Sequence, residues 1–375
     1  MNKKFYKKLI VMGLISAMLG TNSVALYAKE SEQQQVEVKM QPLTEAVSIQ
    51  TQKINEALTK AKETLVKQVK ISLDKVDEEQ LKTYMVPGPL VAYVRSMNFK
   101  KINDKTLQVD IYYTTWYEAI KAFKEPKVYE NKITEVAKQT LAKAKEVIKE
   151  LGLEDETSAY VKEKAVHDYL ISKGKYSEEI IFDISDPMHG AEGLLLNQDG
   201  ICRSYAEGMQ LFMEMLGVES KIILGTSLLD YQKHMWNMIK LDDGNWYYAD
   251  LTWDEMIPDV EGKVNYDYFN IPEYILLKEY KLEEWQQLEP AESLDYFHYK
   301  DKLAHDGNEI TEIVKEQLSK GKLQGEVYVL YNTNANNVIE LVKDAMRAEK
   351  VSGEIVVTKE SRKVYSFLIN PKSQK

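Results

Sequence analysis

The pattern of apolar and polar positions divides the first half of the chain into helices of ordinary length and one clear strand. Apolar residues recur at helical spacing from Thr44 to about Lys70, from Ile133 to Ile148 and from Ser158 to Ser172, which predicts three helices. A glycine follows each of the last two helices and marks its end. Apolar side chains at every second position from Leu107 to Tyr113 predict a half-buried strand.

The second half of the chain contains a β-hairpin and ends in a small module. Two strands rich in Trp and Tyr flank Asp242-Asp243-Gly244-Asn245, which is a strong hairpin signal. We predict a leader at residues 1–28, an N-terminal α+β region of unknown role at 29–152, a central domain at 153–295 and a small C-terminal α/β module at 300–375. The patterns in that last module predict helices Asn308–Ser319 and Asn336–Glu349 and strands Gly325–Tyr331, Glu354–Thr358 and Val364–Ile369.

The first residues form an export signal. Four lysines precede the uncharged apolar run Leu9–Leu19, and Ser23-Val24-Ala25 then offers the small residues that a signal peptidase reads, with Ala28 as a second cleavage position. The alternative is a membrane anchor, but the apolar run is too short to span a bilayer comfortably. We therefore expect a secreted, extracellular or cell-surface protein without an integral membrane span after cleavage.

Composition and charge narrow the class of protein further. The chain has 375 residues and 29% charged residues, which fits a globular protein of two or three domains. The formal net charge is −10, and removal of residues 1–25 takes away four Lys and makes it −14, which argues against nucleic acid as the main partner. Cys202 is the one cysteine, so no intramolecular disulfide is possible. A secreted chain without a disulfide fits an exported Gram-positive product.

Cys202 is the first residue that indicates chemistry. From Cys202 to Leu216 the apolar spacing is helical, so the thiol is predicted to lie in the first turn of a helix that ends at Gly217. The unpaired N–H groups and the dipole at a helix N-terminus favour a thiolate, which is the nucleophilic form. The alternative is an inert buried cysteine. Gly200, two residues earlier, leaves space for a close backbone approach and favours the reactive interpretation.

His234 and Asp250 are the expected partners of this thiol. His234 lies in one hairpin strand and Asp250 in the returning strand, and a Cys–His pair needs a third group to orient the imidazole. If Leu241 pairs with Trp246, regular register sets Asp250 opposite Asn237, and the two side chains point to opposite faces. We therefore predict a bulge, an odd-length loop or strong twisting in this hairpin.

These motifs together resemble the transglutaminase-like superfamily, whose fold is related to that of papain-like cysteine proteases. The resemblance covers residues 158 to 272 and implies a nucleophile helix packed on an antiparallel sheet, with Cys202 as nucleophile, His234 as general base and Asp250 as orienting acid. One departure is Arg203-Ser204, where many bacterial members carry a Gly before the Tyr. The similar segments are His189 to Leu194, Gly200 to Ala206, Leu216 to Val218, His234 to Asn237, Trp246-Tyr247, Asp250 to Asp254 and Tyr268-Phe269.

Other groups are weaker candidates for the same site. Trp236 and Trp253 are expected to form walls beside His234 and Asp250, unless they are plain core aromatics. The backbone N–H of Cys202 is expected to contribute to an oxyanion hole. We expect no metal and no cofactor, because no His, Cys or carboxylate spacing suggests zinc and Asp242-Asp243 is better explained as turn chemistry than as a calcium site. Further pocket or oxyanion candidates are Tyr205, the Asn197 or Gln198 side chain, and Tyr176.

The chemistry implied by the resemblance is acyl transfer at amide bonds of proteins or peptides. Water as acceptor gives a peptidase or amidase, and an amine gives a crosslinking transglutaminase; the sequence leaves both open, with hydrolysis favoured. A cell-wall peptide is one possible substrate of a secreted enzyme of this kind. The alternative is a noncatalytic cell-surface or wall-binding protein that keeps a degenerate scaffold of this family.

Overall fold

The computed structural model describes residues 45–77, 81, 88–177, 189–228, 231–255, 264–271, 273–283, 286, 302–304, 306–329, 333–360 and 363–371. The predicted leader at residues 1–28 lies outside the described residues.

The N-terminal region consists of a small antiparallel sheet and a group of helices. The sheet has the order β1-β3-β2. The predicted helix to about Lys70 is too long: it ends at Thr64, because Leu65 adopts a left-handed φ of 53°, and the following residues pair with β3 instead. The elements are α1 (Glu45–Thr64), β1 (Gln68–Ser72), β2 (Val94–Asn103), β3 (Thr106–Tyr113), α2 (Thr115–Lys124), α3 (Pro126–Tyr129), α4 (Glu135–Glu150) and α5 (Ala159–Lys173).

The helices of this region begin and end where local sequence signals predict. Thr134 caps α4, because its side chain accepts a hydrogen bond from the N–H of Ala137. Ser158 caps α5 in the same way, and Gly174 follows its last residue. The apolar faces of α2, α4 and α5 pack into one hydrophobic cluster that extends from Ile54 to Tyr280. The N-terminal region and the central segment therefore share a core.

The central segment packs a helix against a four-stranded antiparallel sheet. The strand order is β6-β5-β4-β7. The amide of Asn237 on β5 donates to the carbonyl of Ala206, at 3.0 Å, and ties the helix to the sheet. This arrangement confirms the predicted α+β fold with a nucleophile helix on an antiparallel sheet. Its elements are α6 (Cys202–Met215), β4 (Ser220–Ser227), β5 (Lys233–Lys240), β6 (Trp246–Ala249), α7 (Leu251–Asp254), α8 (Glu273–Leu276) and β7 (Tyr280–Leu282).

The C-terminal module has a hydrophobic cluster of its own between residues 304 and 369. Its sheet has the order β10-β11-β9-β8, with α9 and α10 packed against it. It contacts the central segment at Asp267, whose carboxylate accepts the N–H of Lys363 at 3.0 Å. Its elements are β8 (Leu303–Ala304), α9 (Gly307–Ser319), β9 (Gln324–Val329), α10 (Ala335–Ala348), β10 (Gly353–Lys359) and β11 (Val364–Pro371).

Candidate active site

The thiol lies at the first residue of α6. Gly200, just before the helix, has no space for a side chain, because a Cβ there would lie 2.5 Å from the Cβ of Ser204. The Ser204 hydroxyl instead accepts a hydrogen bond from the N–H of Ile201 at 3.2 Å and fixes the entry into the helix. Cys202 is 5% exposed and sits where the N–H groups of a helix have no intrahelical partner.

His234 and Asp250 meet in the structure. The Nε2 atom of His234 lies 2.7 Å from Oδ2 of Asp250, and both side chains are almost fully buried. The other oxygen of Asp250 accepts the N–H of Thr252 at 3.1 Å, so the carboxylate also caps the short helix α7. The side chain of Cys202 lies near enough to the imidazole to contribute to the raised pKa of His234.

The hairpin register explains why His234 and Asp250 face each other. Leu241 pairs with Asn245 and not with Trp246, and Asn237 lies opposite Ala249. The connecting loop is therefore of odd length, which was one of the predicted irregularities. Continuing the register places Asp250 opposite Trp236, on the same face as His234.

The electrostatics of the site favour a charged imidazole. Burial by itself lowers the pKa of His234, but the carboxylate of Asp250, with a smaller contribution from Cys202, outweighs it and raises this pKa to about 10. At neutral pH His234 is therefore an imidazolium, paired with the carboxylate of Asp250 and near the side chain of Cys202. Such a group is able to stabilise a thiolate and to give a proton to a leaving amine.

The two tryptophans lie beside the imidazole, as expected. The Trp236 ring stacks on His234 with 5.8 Å between centroids, and Trp253 is tilted at 6.2 Å. Tyr205, a further pocket or oxyanion candidate, lies inside the core. Its ring is buried, and its hydroxyl donates to the carboxylate of Glu255.

The three candidates for a second oxyanion donor are not equivalent. Asn197 and Gln198 are exposed at the end of a π-helical turn, and Gln198 has a left-handed φ of 58°. Tyr176 is buried, and its backbone forms a parallel bridge with Gly200, close to the nucleophile helix. Of the three, Tyr176 is the one that the fold fastens beside the start of α6.

Sequence reasoning missed two acceptors and one donor around the site. The carboxylate of Glu255 accepts hydrogen bonds from the N–H of Tyr176, at 3.1 Å, and from the hydroxyl of Tyr205. The hydroxyl of Tyr280 donates to Oδ2 of Asp250 at 2.6 Å. Asp254 accepts from the buried His167 at 3.1 Å. No spacing in the sequence marks these partners, because each is far from the residue it binds.

The two aspartates of the hairpin loop are engaged in the protein's own hydrogen bonds. Asp242 and Asp243 both bind protein groups: Asp243 accepts the N–H of Asn245 at 2.9 Å, and Asp242 accepts the N–H of Ala159 at 2.7 Å. Within the described part of the chain, no three His, Cys, Asp or Glu side chains are arranged to hold a metal ion. In those same ranges, no helix combines the length and the apolar character needed to cross a bilayer.

Comparison with known proteins agrees with this geometry. Residues 132–251 match the sequence profile of the transglutaminase-like superfamily. These residues, which include Cys202, His234 and Asp250, therefore form a transglutaminase-like domain, as the motifs indicated. The match begins at residue 132, three residues before α4, and thus upstream of the predicted domain start at residue 153. No curated protein matches the chain significantly.

Several solved structures resemble parts of the chain at low identity. A TGase is 15% identical with a TM-score of 0.30, and the alignment covers 52% of this chain and 53% of that one. Calcium-bound LapG of Legionella pneumophila is 15% identical with a TM-score of 0.29, covering 47% of this chain and 93% of that one. The periplasmic domain of TgpA from Pseudomonas aeruginosa is 12% identical with a TM-score of 0.25, covering 43% and 66%. The chain thus spans about half the length of the TGase.

Proposed function

We propose that the protein is a thiol acyl-transfer enzyme that acts on amide bonds of proteins or peptides, with Cys202 as nucleophile, His234 as general acid and base, and Asp250 as the orienting acid. The observation that supports the proposal is the position of the His234 imidazole, which lies 2.7 Å from the carboxylate of Asp250 and near enough to Cys202 for that side chain to raise the pKa of His234. A buried imidazole held between a thiol and a carboxylate is the arrangement that nucleophilic cysteine catalysis requires.

The first half of the reaction forms a thioester. The thiolate of Cys202 attacks the amide carbonyl carbon, and the negative charge that develops on the carbonyl oxygen is stabilised by the N–H of Cys202 at the start of α6. The imidazolium of His234 gives its proton to the amide nitrogen as the carbon–nitrogen bond breaks, so the amine leaves neutral. Asp250 keeps the imidazole oriented and balances its charge during this step.

The second half of the reaction breaks the thioester. Neutral His234 takes a proton from water or from an amine, which attacks the thioester carbon and releases the thiolate. Water yields a carboxylate, as in a peptidase or amidase, and an amine yields a new amide, as in a transglutaminase. Hydrolysis is the outcome we favour, because the resemblance to small bacterial members of the superfamily implies a protease or amidase.

The cellular setting follows from the leader. From the export signal predicted at residues 1–28 we infer that the enzyme acts outside the cytoplasm, free or at the cell surface, where protein and cell-wall peptides offer amide bonds. The acidic net charge of the chain, −10 before cleavage, argues against nucleic acid as a substrate.

The test compares the purified protein with Cys202→Ala. We expect iodoacetamide to label the folded wild type at pH 6.5 much faster than the same protein unfolded in urea, because the imidazolium of His234 stabilises the thiolate. We also expect either cleavage of β-casein or incorporation of a fluorescent primary amine into it, abolished in Cys202→Ala. Cleavage identifies a hydrolase and amine incorporation a transferase. Slow labelling without either product would indicate the noncatalytic scaffold.

A further inference from the structure

The carboxylate of Asp250 accepts more hydrogen bonds than it needs to orient a histidine. Its Oδ2 atom accepts from Nε2 of His234 at 2.7 Å and also from the hydroxyl of Tyr280 at 2.6 Å. Its Oδ1 atom accepts the N–H of Thr252 at 3.1 Å. Asp250 is almost completely buried, so these three bonds replace the water that would otherwise stabilise its charge.

The hydroxyl of Tyr280 reaches the site through Asp250, and its ring packs beside the imidazole. It is fully buried, so it cannot touch a substrate, and its ring packs against Trp236 with 4.7 Å between centroids and against His234 with 5.8 Å. Burial and the neighbouring Asp250 charge raise the pKa of Tyr280 well above its ordinary value. The hydroxyl therefore stays protonated and remains a donor over the whole working pH range.

The backbone and the neighbours of Tyr280 hold it firmly. Tyr280 pairs with Ser227 at the edge of the sheet. The adjacent Glu279 accepts the hydroxyl of Tyr268 at 2.6 Å and lies 3.6 Å from the ammonium of Lys363, which belongs to the C-terminal module. The donor that reaches Asp250 is thus fixed both by the sheet and by the contact with the module.

We propose that Tyr280 is a positioning residue: its hydroxyl fixes the rotamer of Asp250 and takes up part of its negative charge, so that the carboxylate orients His234 without binding its proton too strongly. This inference rests on the acyl-transfer function proposed above. A donor on the same oxygen that faces His234 has two consequences. It prevents the carboxylate from turning, and it weakens the attraction of Asp250 for the imidazolium proton.

The variant that tests this inference is Tyr280→Phe, which keeps the ring and removes only the hydroxyl. The titratable groups that face His234 are Cys202 on α6, Asp250 after β6 and Tyr280 on β7, and Tyr280 in turn faces Tyr268 and Glu279. Cys202 and Asp250 are unchanged in this variant. Without the Tyr280 hydroxyl, the negative charge of Asp250 is stabilised by one hydrogen bond fewer and attracts the imidazolium proton more strongly. We expect the titration midpoint of His234 to rise by half a pH unit or more.

The measurement is an NMR titration of protein labelled with ¹⁵N-histidine, from pH 7 to 11. The signal of His234 is the one that disappears in His234→Gln. Tyr247→Phe is the matched control, because it removes a buried-ring hydroxyl that binds Asp243 at 2.5 Å, near the hairpin turn. Its His234 midpoint should equal that of the wild type. An unchanged or lowered midpoint in Tyr280→Phe overturns the proposal.

A kinetic measurement separates positioning from packing. In the casein reaction, Tyr280→Phe should lower kcat about tenfold with KM unchanged, because a more basic imidazole is a poorer proton donor to the leaving amine. If Tyr280 only filled space, Tyr280→Phe would lower thermal stability without lowering kcat relative to KM. An unaltered kcat would contradict the proposal. If the wild type itself proves inactive, the proposed function fails, but the histidine titration still decides the role of Tyr280.

Discussion

Leu241 donates its N–H to the carbonyl of Asn245 at 3.0 Å, and this backbone pair decides which face of the sheet Asp250 occupies. It leaves three residues in the loop, with Gly244 in the left-handed conformation at a φ of 82°. A three-residue loop with glycine at that position is a common hairpin geometry. Because side chains alternate along a strand, a loop longer by one residue in regular register would turn Asp250 away from His234.

Asp250→Asn should lower turnover by about 10³- to 10⁴-fold while leaving the fold intact. The carboxylate accepts on both oxygens, from His234 and Tyr280 at Oδ2 and from the N–H of Thr252 at Oδ1. The asparagine side chain has one oxygen and one NH₂ group. Either the two donors at Oδ2 or the N–H of Thr252 at Oδ1 would therefore face an NH₂ group, which cannot accept a hydrogen bond. The measurement is kcat with β-casein, with circular dichroism to confirm folding. Activity within tenfold of the wild type would remove Asp250 from the mechanism.

The protein should lose stability as pH rises from about 5 to 10. Burial raises the pKa of Glu163 from 4.5 to about 8 and that of Asp254 from 3.8 to about 7, and Asp250 outweighs burial to raise that of His234 from 6.5 to about 10. In each case the folded state binds a proton that the unfolded chain releases, so the stabilisation is present at low pH and is lost through the folded pKa. Urea unfolding at pH 5, 7 and 9 measures the slope.

Glu163→Gln isolates one part of that slope. The substitution keeps the hydrogen bond from Asn270, which is 2.8 Å long, and removes the ionisation. We expect the free energy of unfolding to match the wild type at pH 4.5 and to exceed it by about 1–3 kcal/mol at pH 9, where the native Glu163 is a buried charge. Glu312→Gln, at an exposed position of α9, is the control. An equal slope in both variants would contradict the assignment.

Asp242→Ala should destabilise the protein by about 1–2 kcal/mol. Asp242 lies in the hairpin loop, but its carboxylate accepts the hydroxyl of Ser158 at 2.6 Å and the N–H of Ala159 at 2.7 Å, at the N-terminus of α5. It therefore connects the hairpin that follows His234 to a helix more than eighty residues away. Thermal unfolding is the measurement, and Asp243→Ala is the comparison, since Asp243 bonds within its own hairpin. Addition of calcium should not change either midpoint.

Gly200→Ala should reduce both stability and the reactivity of Cys202. A Cβ at Gly200 would lie 2.5 Å from the Cβ of Ser204, so the start of α6 must move, and overpacking of this kind costs about 1–3 kcal/mol. Gly208→Ala is the matched control in the same helix, because the nearest atoms to its Cβ would be 3.6 Å away. Iodoacetamide kinetics and thermal unfolding should be altered in the first variant alone. Equal labelling rates would show that the helix entry does not set the thiol's reactivity.

The nucleophile helix and its hairpin could be predicted because their signals are local. The helical spacing that begins at Cys202 and the glycine at 217 bound α6 correctly, and Asp242 to Asn245 marks the turn. The end of α1 was missed, because the left-handed Leu65 is not a residue type that predicts a helix end. The later helices and strands of the C-terminal module agree with their predicted ranges to within a few residues.

Residues that act on the site from a distance had no such signal. Tyr280 is thirty positions from Asp250, and Glu255 is fifty from Tyr205. His167 reaches Asp254 from α5, a helix whose sequence pattern predicts only burial. Each of these partners is one of many tyrosines, glutamates or histidines that the sequence offers, and the choice among them is made by packing.

The sequence by itself determined the helix that carries Cys202, the strand that carries His234 and the family resemblance, because periodicity, caps and turn residues act over a few neighbouring positions. Asp250, expected in the returning strand, lies just after it as the cap of α7. The tertiary structure alone decided the pairing of Leu241 with Asn245, the face on which Asp250 lies, and the third donor that Tyr280 supplies. Those features depend on register and on burial among distant segments, where one residue of offset reverses the direction of a side chain and no local pattern records the outcome.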